Sequence, residues 1–226
     1  MANNLLKGKR GIIFGALNEQ SIAWKVAQRA REEGATFVLT NAPIAMRMGE
    51  ISNLAKETGS EIIPADATSV EDLDNLISKS MDILGGKLDF VLHSIGMSPN
   101  VRKGKHYTEN NYAFYNQSMD VSAISLHKTL ASCYKLDALN EWSSVVALTY
   151  IAAQRIFPDY NDMADAKSLL ESITRSFGYH YGIKKKVRVN TISQSPTVTT
   201  AGQGIKGFTE FINFSEQMSP LGNAPA

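Results

Sequence analysis

The sequence contains one cysteine, Cys133, among 226 residues, and it has no long hydrophobic run. A single cysteine excludes an internal disulfide, and the helical pattern around Cys133 favours a packing role. The longest apolar stretches, such as residues 143–148, are far shorter than the roughly 20 residues that a transmembrane helix needs. The N-terminus has no apolar signal core. We therefore expect a protein of the reducing cytoplasm that does not enter a membrane.

An excess of charge of either sign is also missing, because 23 Lys and Arg residues face 22 Asp and Glu residues. Domains that bind nucleic acid by neutralising phosphates are usually strongly basic, so we expect no nucleic-acid partner. Linkers rich in Pro, Gly or Ser, low-complexity segments and repeats are absent from the sequence. The composition is that of a globular protein, and we predict a single domain over residues 1–226 with no metal site.

Short apolar runs alternate with segments in which apolar residues recur at helical spacing. The predicted strands cover residues 11–14, 36–40, 61–65, 88–93, 143–148 and 187–192, and the predicted helices cover residues 21–33, 47–58, 69–84, 110–139 and 160–181. Strands that are continuously apolar are typical of a parallel sheet covered on both faces. We therefore predict an α/β fold with a doubly wound, Rossmann-like parallel sheet.

The turn after the first strand has one glycine, Gly15, in place of the common G-x-G-x-x-G motif. Ligands of a doubly wound sheet bind at the carboxyl ends of its strands, which makes this turn a candidate phosphate site. Gly15 would admit a pyrophosphate, and the Ser21 hydroxyl and the Ile22 amide would meet it at the start of a helix. A plain strand, turn and helix with a serine cap would give the same sequence.

The turns after the next strands carry weaker signals. Asp66, after the third strand, would either accept a hydrogen bond from an adenine amino group or cap the following helix. Gly96, after the fourth strand, lies either where the backbone passes a ligand or in an ordinary turn. No acidic residue follows the second strand to bind a ribose 2′-hydroxyl, and Arg47 is available for a 2′-phosphate, so NADH and NADPH both remain open.

Tyr160 and Lys167 are seven residues apart after the fifth strand. On a helix over residues 160–181 they would be separated by about 700°, close to two full turns, and would share one face about 10 Å apart. A ribose would fit between them, with its hydroxyls held by the ammonium group and the phenol directed at the substrate. The ordinary short-chain dehydrogenase pattern has lysine four residues after tyrosine, where this sequence has Ala164.

Taken together, four segments resemble the NAD(P)H-dependent enoyl-acyl-carrier-protein reductases of type II fatty-acid synthesis, within the short-chain dehydrogenase superfamily. The segments are Gly15 through Ser21-Ile22-Ala23, His93-Ser94-Ile95-Gly96, Tyr150 and Tyr160 with Lys167, and Val187-Arg188-Val189-Asn190. The resemblance runs from about residue 6 to residue 220. It implies reduction of the trans-2 double bond of an enoyl thioester carried on acyl carrier protein, with NADH as the hydride donor and NADPH not excluded.

The resemblance also implies residue roles. The catalytic residues would be Tyr150, Tyr160 and Lys167. Tyr160 would contact the thioester oxygen, and Lys167 would hold the nicotinamide ribose. Tyr150 would line the acyl site, where it would either assist protonation or only orient the substrate. The cationic lysine is expected to lower the pKa of the Tyr160 phenol. The cofactor contacts implied by the resemblance are Gly15, Ser21, Ile22, Asp66, Ala67, Ser94, Ile95, Gly96, Lys167 and Thr197.

Residues 195–218 match a substrate-binding lid of the family. Lys25 stands where the family usually has a glycine, so its helix must sit differently or direct Lys25 outward. The resemblance implies a homotetramer, and it suggests Lys184, Lys185, Lys186 and Lys206 as candidate contacts for the acidic carrier protein. The family pattern continues past residue 220 into a further helix and strand, which this chain is expected to lack.

Two other functions are compatible with the fold. A short-chain dehydrogenase acting on a carbonyl or an alcohol is disfavoured because Ala164 occupies the position of its lysine. A catalytically silent NAD(H)-binding regulator is disfavoured because Tyr160 and Lys167 are both present.

Overall fold

The computed structural model describes residues 3–47, 50–200, 202–205, 207–220 and 222, and over these residues the chain is built on one sheet of six parallel strands. The strands are β1 (Arg10–Phe14), β2 (Thr36–Thr40), β3 (Glu61–Ile62), β4 (Leu88–His93), β5 (Leu139–Thr149) and β6 (Arg188–Ser193). Their order is β3-β2-β1-β4-β5-β6, and each neighbouring pair is parallel. This is the doubly wound order, with the switch point between β1 and β4. The predicted fold class is confirmed.

Helices cover both faces of the sheet. They are α1 (Ile22–Glu32), α2 (Pro43–Met46), α3 (Ile51–Thr58), α4 (Val70–Leu84), α5 (Pro99–Arg102), α6 (Tyr112–Met119), α7 (Ser125–Lys135), α8 (Asp162–Lys185) and α9 (Phe208–Met218). A π-helix (Asp120–Ile124) joins α6 to α7, and a 3-10 turn (Pro158–Tyr160) precedes α8. None of the helices within the described ranges is long and apolar enough to span a membrane.

Two hydrophobic clusters lie on the two faces of the sheet, because successive strand residues point to opposite sides. Ile12 belongs to the cluster that contains Leu126 and Leu170, and the next residue, Ile13, belongs to the cluster that contains Trp24 and Leu54. Burying each such side chain contributes about 1.5–3 kcal/mol. The continuous apolar strands thus form two cores, and these hold the carboxyl ends of β1 and β4 side by side.

Several predicted boundaries were wrong. The helix predicted over 160–181 begins at Asp162 because Asn161 has φ 42° and ψ −134°, which no helix accommodates. The helix predicted over 47–58 begins at Ile51, and the short α2 before it was missed. The helix predicted over 110–139 is divided by the π-helix, and β5 already begins at Leu139.

The structure agrees with what was expected of three single residues, Ser69, Lys25 and Cys133. Ser69, the first residue of the helix predicted over 69–84, caps α4 by accepting a hydrogen bond from the Asp72 amide. Lys25 is exposed on α1 and so is directed outward. Cys133 is buried, and burial raises the pKa of its thiol to about 12, which agrees with a packing role. No group of acidic, histidine or cysteine side chains suited to a metal ion occurs within the residues that the structure describes.

Candidate active site

A cavity of about 790 Å³ opens at the carboxyl ends of the strands, a volume within the usual range for cofactor sites. The turns after the strands and the segment around residues 194–211 form its walls. It is lined by every residue that was predicted to bind cofactor or to act in catalysis: Gly15, Ser21, Ile22, Asp66, Ala67, Ser94, Ile95, Gly96, Tyr150, Tyr160, Lys167 and Thr197. Residues spread over about 180 positions of the chain therefore meet at one site.

Gly15 lies where the turns after β1 and β4 come closest. Its φ is +91°, a conformation that side chains rarely adopt, and a Cβ placed there would collide with the backbone carbonyl oxygen of Ser94. The Gly15 amide donates to the Thr40 carbonyl at 3.1 Å. The glycine is thus required for two adjacent strand ends to form one floor of the cavity.

Ser21 shapes the turn between β1 and α1. Its Oγ accepts hydrogen bonds from the amides of Leu17 and Asn18, each at 3.1 Å, and it does not cap α1. Within the described part of the chain, the backbone N–H groups of Ile22 and Ala23 have no acceptor. Free N–H groups at the start of an 11-residue helix suit a pyrophosphate, because they donate hydrogen bonds at the positive end of the helix dipole.

Asp66 stabilises the turn that leads into α4. Its Oδ1 accepts from the Thr68 amide at 2.8 Å and from the Thr68 hydroxyl at 2.7 Å, while Ser69 supplies the helix cap. Of the two interpretations of Asp66, the capping one was wrong in detail, since the carboxylate closes the turn before the cap. Asp66 is exposed toward the cavity, and a contact with adenine stays a prediction.

The turn after β4 is anchored by a serine on the π-helix. Ser122 Oγ accepts from the Met97 amide at 3.0 Å and lies 3.1 Å from the Met97 carbonyl oxygen, to which it donates. Just before this turn, His93 Nε2 lies 2.8 Å from Ser125 Oγ. Burial, with the nearby Lys167 ammonium, lowers the pKa of His93 to about 3, so its ring is neutral at pH 7. These anchors could not be predicted from the sequence, because isolated serines in a helical pattern carry no distinctive signal.

Tyr160 lies in the 3-10 turn before α8, packed against a second tyrosine. The ring centroids of Tyr150 and Tyr160 are 5.0 Å apart, and Phe157 lies 5.3 Å from Tyr150. Burial raises the pKa of the Tyr160 phenol, and the neighbouring Tyr150 adds to this shift. The expected lowering of this pKa by lysine was wrong, because the loss of water outweighs any attraction to the ammonium group.

Lys167 is buried on α8 with its ammonium group beside Gly96. The Nζ donates to the Leu148 carbonyl oxygen at 2.7 Å, and a Cβ built at Gly96 would lie 3.7 Å from it. Burial lowers the pKa of Lys167 to about 8, so the amine is mostly charged at pH 7. The remaining Nζ protons can serve the hydroxyls of a ribose.

Tyr160 and Lys167 do not share a helix, so the explanation of their spacing by two helical turns was wrong. The break at Asn161 puts the tyrosine on a separate turn and the lysine inside α8. Both side chains still line the cavity, although by a different route from the one predicted.

The opposite wall of the cavity is formed by part of the predicted lid. The Asn18 side-chain amide donates to Thr200 Oγ1 at 2.9 Å, and Thr200 Oγ1 donates to Gln20 Oε1 at 3.2 Å. The Phe211 ring meets Phe157 edge-on, with 5.7 Å between centroids. Thr197 also lines the cavity, with its hydroxyl donating to the Ser195 carbonyl at 3.1 Å, and the predicted carrier contact Lys206 lies outside the described residues.

These features together fit a dinucleotide. Beside the Gly15 turn, α1 presents free N–H donors, and a buried ammonium group lies further along the same cavity. The family model described as enoyl-(acyl carrier protein) reductase matches residues 15–225. This chain belongs to that family.

Relatives agree with this assignment. Enoyl-[acyl-carrier-protein] reductase [NADH] 1 of Rhizobium meliloti is 33% identical over 221 residues, which are 97% of this chain and 79% of the relative. Enoyl-[acyl-carrier-protein] reductase [NADH] FabI of Aquifex aeolicus is also 33% identical, over 96% of this chain and 80% of the relative. The predicted family, its enzymatic activity and NADH as its cofactor are confirmed.

A solved structure agrees as well. The crystal structure of a FabI–NADH complex from Alistipes finegoldii is 64% identical to this chain, with a TM-score of 0.96 over 98% of this chain and 78% of that one. Enoyl reduction with NADH is therefore favoured over the dehydrogenase and the silent regulator that the sequence left open.

Proposed function

We propose that this chain reduces the trans-2 double bond of enoyl thioesters on acyl carrier protein, with Tyr160 and Lys167 as its catalytic residues. The observation that carries the proposal is that a phenol and an ammonium group, both buried, line one cavity with the Gly15 turn. A protonated phenol and a cation are the groups that a reaction needs when negative charge develops on a thioester oxygen.

NADH held in this cavity would supply the hydride for the β carbon of the substrate. Lys167 would hold the nicotinamide ribose, and the free amides of α1 would hold the pyrophosphate. The other residues assigned to cofactor binding are Gly15, Ser21, Ile22, Asp66, Ala67, Ser94, Ile95, Gly96 and Thr197. Their common place on the cavity wall supports this assignment.

Tyr160 stabilises the enolate that forms on the thioester. Its raised pKa keeps the phenol protonated over the working pH range, so it can donate a hydrogen bond to the oxygen as that oxygen gains charge. One such donor in a buried site is worth about 3–4 kcal/mol of transition-state stabilisation. Tyr150, half-buried against the Tyr160 ring, would line the acyl site and orient the thioester.

The proposal extends to assembly and location. We place residues 1–226 in one domain with residues 195–218 as the substrate lid, in the cytoplasm. We further propose a homotetramer, which is supported by large apolar side chains exposed on α8 and β6, namely Tyr179, Ile183 and Ile192. The acidic carrier protein would meet exposed cations such as Lys184.

The activity is tested by following NADH absorbance with a crotonyl thioester and, in parallel, with a β-ketoacyl thioester. We expect NADH oxidation with the enoyl substrate. Oxidation with the ketoacyl substrate alone would reject the proposal in favour of a carbonyl reductase. Bound NADH without turnover of either substrate would favour the silent regulator.

Replacing Tyr160 by phenylalanine tests the role of the phenol. We expect kcat to fall about 100- to 1,000-fold, because one oxyanion donor is lost, while NADH affinity stays within about twofold. Tyr112→Phe removes an exposed phenol from α6, outside the cavity wall, and serves as the matched control. A defect in substrate affinity alone in the Tyr160 variant would show that the phenol does not stabilise the enolate.

A further inference from the structure

A buried carboxylate lies two residues after Tyr160. Asp162 is the first residue of α8 and has no exposed surface. Its Oδ1 accepts from Ser98 Oγ at 2.5 Å, and its Oδ2 accepts from Asn100 Nδ2 and from Ser118 Oγ, both at 2.9 Å. All three donors are neutral, and no cation pairs with Asp162 within the residues that the structure describes.

The donors come from the two short helices in front of the cavity. Ser98 caps α5 by accepting from the Val101 amide at 3.0 Å, and Ser118 belongs to α6. The Asn100 side chain is fixed by Asn111, whose amide donates to Oδ1 at 3.1 Å and whose carbonyl accepts from Nδ2 at 3.2 Å. The orientation of the Nδ2 donor toward Asp162 is therefore determined. The carboxylate ties α5 and α6 to the start of α8.

This network adjoins the catalytic tyrosine through packing. Val101 of α5 forms one apolar cluster with Tyr160 and Met163, and all three line the cavity. If α5 moved away from α8, the cluster that packs around the Tyr160 ring would lose Val101.

The backbone between Tyr160 and Asp162 is held by a second, adjacent set of hydrogen bonds. Asn161 joins the tyrosine to Asp162 in a positive-φ conformation that is strained for a residue other than glycine. Its side chain accepts from Asn110 Nδ2 at 2.6 Å and donates to the Lys105 carbonyl at 2.7 Å. The strained residue is thus fixed by its own side chain on one side and by the Asp162 carboxylate on the other.

Packing alone does not account for a carboxylate at this place. Apolar side chains in place of Asp162 and its three donors would fill the space without the cost of removing a charge from water. We propose that Asp162 is a positioning residue, whose carboxylate holds α5 and α6 against the start of α8 and so directs the Tyr160 phenol at the thioester oxygen. The inference rests on the proposed role of Tyr160.

The first test compares Asp162→Ala with Asp162→Asn at a temperature where both are folded. We expect Asp162→Ala to lower kcat about 10- to 100-fold, because small displacements of a catalytic group have large kinetic effects. NADH affinity and the KM for the crotonyl thioester are expected to change less than about threefold, since their contacts remain. Asp162→Asn keeps one acceptor oxygen and is expected to recover part of the lost kcat.

The matched control is Asp165→Asn, one turn further along α8. Its carboxylate accepts from the hydroxyls of Tyr107 at 3.0 Å and Tyr115 at 3.1 Å, outside the cavity wall. We expect its kcat to stay within about twofold of the parent. If Asp162→Ala does not fold, Ser118→Ala removes a single donor from the same carboxylate and is expected to lower kcat in the same direction.

A double-mutant cycle with Tyr160→Phe separates positioning from general loosening of the structure. If Asp162 acts through the phenol, Asp162→Asn will lower kcat little further once the phenol is gone. Equal losses in both backgrounds, an unchanged kcat in folded Asp162→Ala, or a parallel loss of NADH affinity would each overturn the inference. If the parent chain does not reduce the crotonyl thioester, the proposed function itself is wrong. If the parent chain does reduce it, the variants test the positioning role of Asp162 alone.

Discussion

The two walls of the cavity are built differently. On the sheet side, the residues that lead into Gly15 are fully buried between the two cores. On the lid side, α9 has no buried residue among those described, and the wall is held by the polar contacts of Thr200 and the edge-on contact of Phe211 with Phe157. Segments with few buried contacts open at lower free energy than the core.

The two walls are therefore expected to bind different ligands. The sheet side, which shares its stability with the whole fold, presents the groups assigned to the cofactor. The lid side, which is held locally, lines the part of the cavity with Tyr150 and Phe211 to which we assign the acyl chain. Substitutions on the sheet side are therefore expected to affect stability and NADH together, and substitutions on the lid side to affect the acyl substrate.

The largest effect is expected for Gly15→Ala. Its Cβ would collide with the Ser94 backbone at a positive φ, so we expect a loss of about 3–5 kcal/mol in the free energy of unfolding, with loss of NADH binding. Urea unfolding and NADH fluorescence measure the two effects. Gly8→Ala is the control, because Gly8 also has a positive φ but has open space around it, and it is expected to cost about 1–2 kcal/mol. Equal costs for both variants would contradict the proposed close contact.

A smaller effect is expected from the titration of Lys167. Because kcat/KM for NADH reports the free enzyme, we expect it to fall up to about tenfold per pH unit as pH rises through about 8 and the ammonium group loses its proton. Lys167→Arg stays charged and is expected to lack this alkaline fall, whatever its absolute rate. Persistence of the fall in the arginine variant would assign it to another group.

Deprotonation of the same lysine, which is expected to lower kcat/KM, is expected to raise the stability of the folded chain. Its pKa is about 10.5 when unfolded and about 8 in the folded chain, so between these values the unfolded state binds more protons. In the absence of NADH, the titration of Lys167 is therefore expected to increase the free energy of unfolding as pH rises from 8 to 10.5. Comparison with Lys167→Met, which cannot titrate, isolates this contribution.

The smallest effect is expected on the lid. Phe211→Ala removes an aromatic contact worth about 0.5–1.5 kcal/mol, so we expect the KM for the acyl thioester to rise about 2- to 10-fold. NADH affinity is expected to stay unchanged. Phe214→Ala, on the same helix but 54% exposed and outside the cavity wall, is the control. A loss of NADH affinity in the Phe211 variant would show that the two walls are not separate.

The contrast between the walls also describes what the sequence could predict. Strand composition and helical periodicity located the sheet, since continuous apolar runs have few alternatives to burial, and the turns after those strands contained the cavity residues. The start of the helix after β5 was predicted two residues too early because Asn161 adopts its positive φ through bonds to Lys105 and Asn110, which lie far away in the sequence.

Asp162 is a residue whose proposed role could not be predicted from the sequence. An acidic residue in the first turn of a helix is usually a solvated side chain that complements the helix dipole, and nothing in its neighbours distinguishes it. Its proposed role depends on the hydrogen bonds donated by Ser98, Asn100 and Ser118, which approach it only after the chain has folded. Residues with roles of this kind cannot be found from local patterns.

The π-helix between α6 and α7 places a constraint on chain length. Five residues, Asp120–Ile124, follow π-helical geometry, in which each turn takes up one residue more than an α-helical turn. Deleting Ala123 or Ile124, which lie between Ser122 and Ser125, would rotate Ser122 about 100° relative to Ser125, so that Met97 and His93 could not both keep their serine partners. A relative one residue shorter at this point must therefore support its β4 turn by other means, and a gap here in a sequence alignment marks a change in how the cavity floor is held.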